Sequence, residues 1–204
     1  MKKIRDFEFI TGSLSLDFVD TVARRSTDPV DLLETEADLD EWIVLASAND
    51  RLPMRPQPHA DRPQLMFARD LREAVYRTAQ VASATGKLPG EDVTLINRAA
   101  RLAPVYPQLT GDAVSFVSAN DVDGVMSMIA ADAIECLRGD NRWRIRQCPG
   151  CRMLFVDRSR PGRRRWCSSA RGCGNQDKLR RHRARKTEAR QRTANTTKGK
   201  SRDG

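Results

Sequence analysis

Four of the five cysteines fall in a pattern able to hold a metal: Cys148-Pro-Gly-Cys151, fifteen residues, Cys167, five residues, Cys173. Pro149-Gly150 lets the chain turn tightly, so that the first two sulfurs face one point. A second pair closing from a distance suits the Zn–S bonds of about 2.3 Å and tetrahedral angles of a structural zinc. The spacing therefore predicts a four-cysteine zinc site at Cys148, Cys151, Cys167 and Cys173. Two disulfides are the competing reading. The charged opening Met1-Lys2-Lys3-Ile4-Arg5-Asp6 holds no apolar leader, so a reducing cytoplasm is expected, and that environment favours metal over disulfides. His182 is an alternative fourth ligand to Cys173, but the arginines around it oppose a dication. Cys136 lies apart, in an apolar run with helical spacing, and is expected to be a buried, inert thiol.

A second chemistry lies in the distribution of charge. Residues 1–141 carry 15 Lys and Arg against 23 Asp and Glu, net −8, whereas residues 142–204 carry 21 against 4, net +17. Cations packed this densely release condensed counterions when they neutralise phosphates, which makes duplex DNA the expected partner and RNA the second. The candidates are Arg158, Arg160, Arg163, Arg164 and Arg165, then Lys178, Arg180, Arg181, Arg183 and Arg185, with Lys186 beside them. Arginine dominates, and its planar fork can bond two acceptors of a phosphate or a guanine at once. Phe155, Trp143 and Trp166 are the aromatic groups an RNA module would use for stacking.

A third group consists of Asp17, Asp20, Arg72 and Asn97, polar residues on otherwise apolar helical stretches. A buried carboxylate needs a partner such as Arg72, so a structural network is expected. The sharper alternative is a pocket for a small-molecule effector. Enzymatic chemistry is not expected. The chain has no phosphate-cradling glycine loop and no His-Glu-x-x-His, and its only two histidines are not near a plausible nucleophile.

Positioning these groups calls for a mostly helical front part with a core of its own and a small metal-pinned tail that is too short of apolar side chains to fold by burial. Phe7–Ile10 reads as a short strand. A first helix is expected from Gly12-Ser13 to about Arg25, and a second from the capping box Thr35-Glu36-Ala37-Asp38 to about Ser47. Asp61 with Pro63 opens a third, long helix, and a fourth reaches Ala103. A hairpin joins 104–107 to 113–117, and a fifth helix, capped by Asp121 or Asp123, ends at Gly139. Trp143–Gln147 and Leu154–Asp157 read as strands around the cysteine knuckle. Arg164–Trp166 returns the chain to Cys167, and Asn175 caps a final helix to about Arg192. No apolar stretch reaches the roughly 20 residues of a membrane span, so a soluble protein is expected. The fold class is α+β: a predominantly helical domain over 1–141 with a small β-hairpin, then a treble-clef-like zinc finger of β-hairpin and helix over 142–192. Residues 193–204 are expected to form a disordered tail.

Cys148-Pro-Gly-Cys151, Leu154-Phe155, Asp157-Arg158-Ser159-Arg160, Arg164-Arg165-Trp166-Cys167-Ser168 and Cys173-Gly174-Asn175 together resemble the CGNR zinc finger. Gly12-Ser13-Leu14-Ser15-Leu16-Asp17-Phe18-Val19-Asp20-Thr21 is similar to the opening motif of the ABATE domain, which the same bacterial family carries before the finger. The resemblance implies a stress-related transcription regulator whose finger binds DNA. Three departures stand out: Gln176 replaces the usual arginine, the Cys167–Cys173 gap is one residue longer, and Asp20 replaces an asparagine.

Overall fold

The structure, a computed structural model, describes residues 7–84, 86–168 and 171–200. Among them are six α-helices and three two-stranded antiparallel sheets. The described residues up to Cys167 form one compact unit, and those from Ser168 onward a second.

Local sequence explains most of the helix starts in the first unit. Helix α2 (Glu36–Ala48) opens on the capping box of Thr35 and Asp38, and α3 (Arg62–Ser83) on a second capping box of Asp61 and Gln64, with Pro63 in its first turn. Helix α4 spans Gly90–Ala99, shorter than expected at its C-terminal end. Helix α5 (Asp121–Leu137) is capped by Asn120, whose side chain accepts from the Asp123 amide. Neither Asp121 nor Asp123 is the cap, because both already lie inside the first turn.

Helix α1 is the main departure. It covers only Leu14–Val19, not the stretch to Arg25. The Thr21 amide and hydroxyl both return to the Phe18 carbonyl, closing the helix. The β-branched Val22 then starts β1 (Val22–Ala23), which pairs with β2 (Val30–Asp31) in the register Val22↔Asp31. Phe7–Ile10 is not a strand, although Phe7 and Phe9 pack against the core.

The expected hairpin forms as β3 (Tyr106–Thr110) and β4 (Ala113–Val117), turning at Gly111 with φ +62°. At Gly124, near the start of α5, an added Cβ would lie 2.6 Å from Ser118 Oγ and 3.1 Å from a Val105 methyl. Only glycine allows the strands' flanking residues to approach α5 this closely.

A 3-10 turn over Gly139–Arg144 takes the place of the first part of the expected Trp143–Gln147 strand. The strands β5 (Ile145–Gln147) and β6 (Leu154–Val156) pair as Ile145↔Val156 and Gln147↔Leu154. Ile145, Leu154 and Val156 are buried in the same core as Phe18, Trp42, Leu65, Leu71 and Ile129. The Val156 amide also donates to the Thr11 carbonyl at 2.8 Å. The position expected to divide the two domains, after residue 141, is thus crossed by one continuous core. No strand forms over Arg164–Trp166. That loop is instead fastened by Asp157, which accepts from the Ser159 amide, the Ser159 hydroxyl and the Arg164 amide.

The second unit holds α6 (Cys173–Lys200). It begins just after Gly172, at φ +65°, and the Gln176 amide closes onto the Gly172 carbonyl. Asn175 therefore lies inside the first turn and is not the cap. The helix continues into the stretch expected as a tail, and residues 201–204 lie outside the described residues. Among the described residues, no helix is long and apolar enough to cross a membrane.

Candidate metal centre and basic surface

The sulfurs of Cys148, Cys151, Cys167 and Cys173 all lie within 4.8 Å of one another. Four ligands at about 2.3 Å around a tetrahedral ion would stand about 3.8 Å apart. The Cys151 and Cys167 sulfurs are 3.5 Å apart, far beyond a disulfide bond, and none of the five cysteines is in a disulfide. The donor set fits a thiolate-bound metal, and the disulfide reading does not hold.

The knuckle is built by its backbone. The Cys148 amide donates to the Met153 carbonyl, and the Arg152 amide donates back to the Cys148 carbonyl. Arg152 takes φ +65° to complete the turn. Burial raises the Cys148 thiol, but amides of Cys151, Cys167 and Gly150 aimed at its sulfur prevail and lower it to about 7. Burial and the adjacent Cys151 and Cys148 thiols push Cys167 the other way, well above the ordinary thiol range. A cluster in which one thiol ionises readily and a crowded neighbour resists is what a cation resolves, since it stabilises all the thiolates together. His182 is exposed on α6 and stands outside the sulfur cluster, and His59 is exposed in its loop.

Cys136 is half-buried and hydrogen-bonds to Ser13 Oγ at 3.4 Å. Burial, and then the charge of Asp132, push it up to about 11, which keeps it a thiol.

The basic residues divide by what holds them. Arg164 is committed inward: its Nε donates to the Trp166 carbonyl, and its guanidinium covers the buried Phe155 ring at 4.8 Å. Arg158 is exposed, yet its Nε is fixed on the Gly12 carbonyl at 2.5 Å. Arg160, Arg163 and Arg165 are exposed, with Arg165 stacked over Trp166. A shallow groove is lined by Arg146 and Arg163–Arg165 together with Pro149 and Gly162. Arg146 escaped the sequence reading because it was seen only as an alternating strand position. On α6, Arg180 and Arg181 both pair with Asp177, at 2.7 and 2.8 Å, whereas Lys178, Arg183, Arg185 and Lys186 are exposed. Leu179, an apolar residue in the second turn of this helix, is 56% exposed.

Asp17, Asp20, Arg72 and Asn97 are not brought into one network. Asp17 accepts from the Thr11 amide and hydroxyl, and its partner in charge is Arg51, at 3.0 Å. That contact is not aligned as a hydrogen bond. Arg72 is buried but grips Asp31 with two nitrogens, at 2.7 and 2.9 Å, and reaches Glu73 with its Nε. Asp20 caps the end of α1, and Asn97 is exposed on α4. The partners Arg51 and Asp31 come from distant stretches, and no local spacing announces them, whereas Glu73 is simply the residue after Arg72. Asp132 was also missed. It accepts from the hydroxyls of Ser13 and Ser15 and from the Ser15 amide, and its only trace in the sequence is a carboxylate inside the apolar run of α5.

Comparison with known families accords with this geometry. The CGNR zinc-finger model matches residues 144–186, spanning all four clustered cysteines. The ABATE model, described as "Putative stress-induced transcription regulator", matches residues 12–140. No curated protein matches the chain. The helical core with its Gly12–Thr21 opening and the thiol cluster that follows place the chain in the ABATE family, with a CGNR zinc finger as its C-terminal part.

Proposed function

We propose that this protein is a transcription regulator that binds duplex DNA through a zinc-pinned, arginine-rich finger. Residues 142–192 act as the reader and residues 1–141 as the regulatory part. The observation that carries the reading is the gathering of four thiols from the knuckle, the following loop and the first residue of α6. A metal there fixes the start of a helix that bears Lys178, Arg183, Arg185 and Lys186 on exposed positions. Zinc is the fitting ion, because four soft thiolates in a tetrahedron select it and it adds no redox chemistry. A zinc with four protein thiolates keeps no open position for water, so its role is structural. The cytoplasm, against the nucleoid, is the location a duplex-binding role requires.

Fluorescence anisotropy with random-sequence duplex, at two salt concentrations, tests the reading. Binding that weakens steeply with salt, followed by selection of a preferred sequence, is the expected outcome. Equal, sequence-blind affinity for duplex and for structured RNA would defeat it. RNA is the second reading, favoured by Trp143, which is 57% exposed and free to stack on an unpaired base.

A further inference from the structure

Within the first unit, a cavity of about 520 Å³ opens between the end of α5, the Gly139–Arg144 turn and the loop after β6. Its volume lies in the range of small-molecule sites. Three guanidinium groups line it, those of Arg144, Arg158 and Arg160, together with the carboxylates of Asp132, Glu135 and Asp157.

Asp157 is engaged at both carboxylate oxygens, and Asp132 and Glu135 at one oxygen each. Asp132 is occupied by Ser13 and Ser15, Asp157 by Ser159 and the Arg164 amide, and Glu135 by Arg138 and Asn141. Two of the guanidinium groups, those of Arg144 and Arg158, are anchored but not satisfied. One Arg144 nitrogen holds the Ser159 carbonyl at 2.8 Å. The Arg158 Nε holds the Gly12 carbonyl, and among the described residues no acceptor meets its terminal nitrogens. Arg160 likewise has no acceptor there. Gly12, at φ +84°, makes this anchoring possible: an added Cβ would press on the Val156 carbonyl at 3.2 Å and meet Arg158 Nε at 3.5 Å. Val156 and Cys136 supply an apolar wall.

We propose that this cavity is an effector site for a small organic anion bearing a carboxylate or phosphate group, held by Arg158 and Arg160 with Arg144 behind them. The Arg158 fork, held at one nitrogen and open at the others, is pre-organised for an oxyanion, and the exposed Arg160 can close over it. A concave site with an apolar wall suits a small molecule better than a duplex backbone, which needs cations along an open surface. The site deepens the regulator reading, and only the use made of the effector rests on that reading.

Isothermal titration of the full chain with citrate, and separately with inorganic phosphate, tests the proposal. One saturable event per chain is expected with at least one of them: citrate assigns a carboxylate, phosphate a phosphoryl group. Arg158→Ala/Arg160→Ala should weaken that event at least tenfold. Arg183→Ala/Arg185→Ala, which removes the same charge from α6, should leave it unchanged. Equal loss in both double variants, or only non-saturating heats, overturns the site. So does an absence of anion binding combined with weaker duplex binding in the Arg158/Arg160 variant, which would assign these arginines to the backbone. Should the Arg158 change disturb folding, Arg160→Ala alone gives the same readout, because that side chain supports nothing else. Failure of the DNA reading would show separately, as loss of duplex binding with anion binding retained.

Discussion

The buried Asp17 and the half-buried Asp31 and Glu73 respond oppositely to pH. Burial raises Asp17 to about 6, only partly offset by Thr11 and Arg51. Between about pH 4 and 6 the folded chain therefore holds a proton that the unfolded chain releases, and stability falls as pH rises through that window. The shift corresponds to about 3 kcal/mol. Asp17→Asn should abolish this component, so urea midpoints at pH 4.5 and 6.5 should converge in the variant relative to wild type. Burial also acts to raise Asp31 and Glu73, but Arg72 and Arg25 outweigh it and hold both below the ordinary carboxylate range. Their contribution is present at neutral pH and is lost as pH falls through the lowered values. Arg72→Ala takes the two-nitrogen grip from Asp31 while Arg25 stays on Glu73, and should cost about 1–3 kcal/mol in urea unfolding at pH 7. Arg72→Lys should restore little, because one ammonium cannot reproduce the two-nitrogen grip on Asp31.

At the scale of elements, the β5–β6 hairpin is shared property. It belongs in sequence to the cysteine motif, yet Ile145, Leu154 and Val156 complete the core of the helical part. Leu154→Ala should cost about 2–4 kcal/mol, and circular dichroism in urea should show the α2–α5 helices unfolding earlier in one transition. A hairpin folding as a separate module would leave those helices unmoved. The capping box of α2 and the Asp61 cap of α3 were legible because a cap is local, satisfied within four residues. The end of α1 was not. Val22 and Ala23 fit a helical period as well as a strand, and the choice fell to pairing with Val30 and Asp31 across a loop.

For the whole molecule, the metal and the charge have separate signatures. The purified reduced protein should contain about one zinc per chain by elemental analysis. Cys151→Ser should remove it and weaken duplex binding at least tenfold, while the cooperative unfolding of the core persists, since Ile145, Leu154 and Val156 stay buried without the metal. Arg180→Ala with Arg183→Ala should weaken binding and flatten the dependence of log affinity on log salt by up to about two. Of the two, Arg183→Ala should contribute more, because Asp177 already engages Arg180.

The cysteine site could be read from the sequence because chelation needs few residues, of one type, at short spacing, and the uneven charge was legible because it is a matter of counting. Tertiary structure decided the rest: that Asp17 faces Arg51 while Arg72 faces Asp31, that Arg164 serves Phe155 and not the surface, and that Arg144, Arg158 and Arg160 surround a cavity. Each of those depends on which distant segments the core packs together, and burial has no preferred partner until the chain has closed around it.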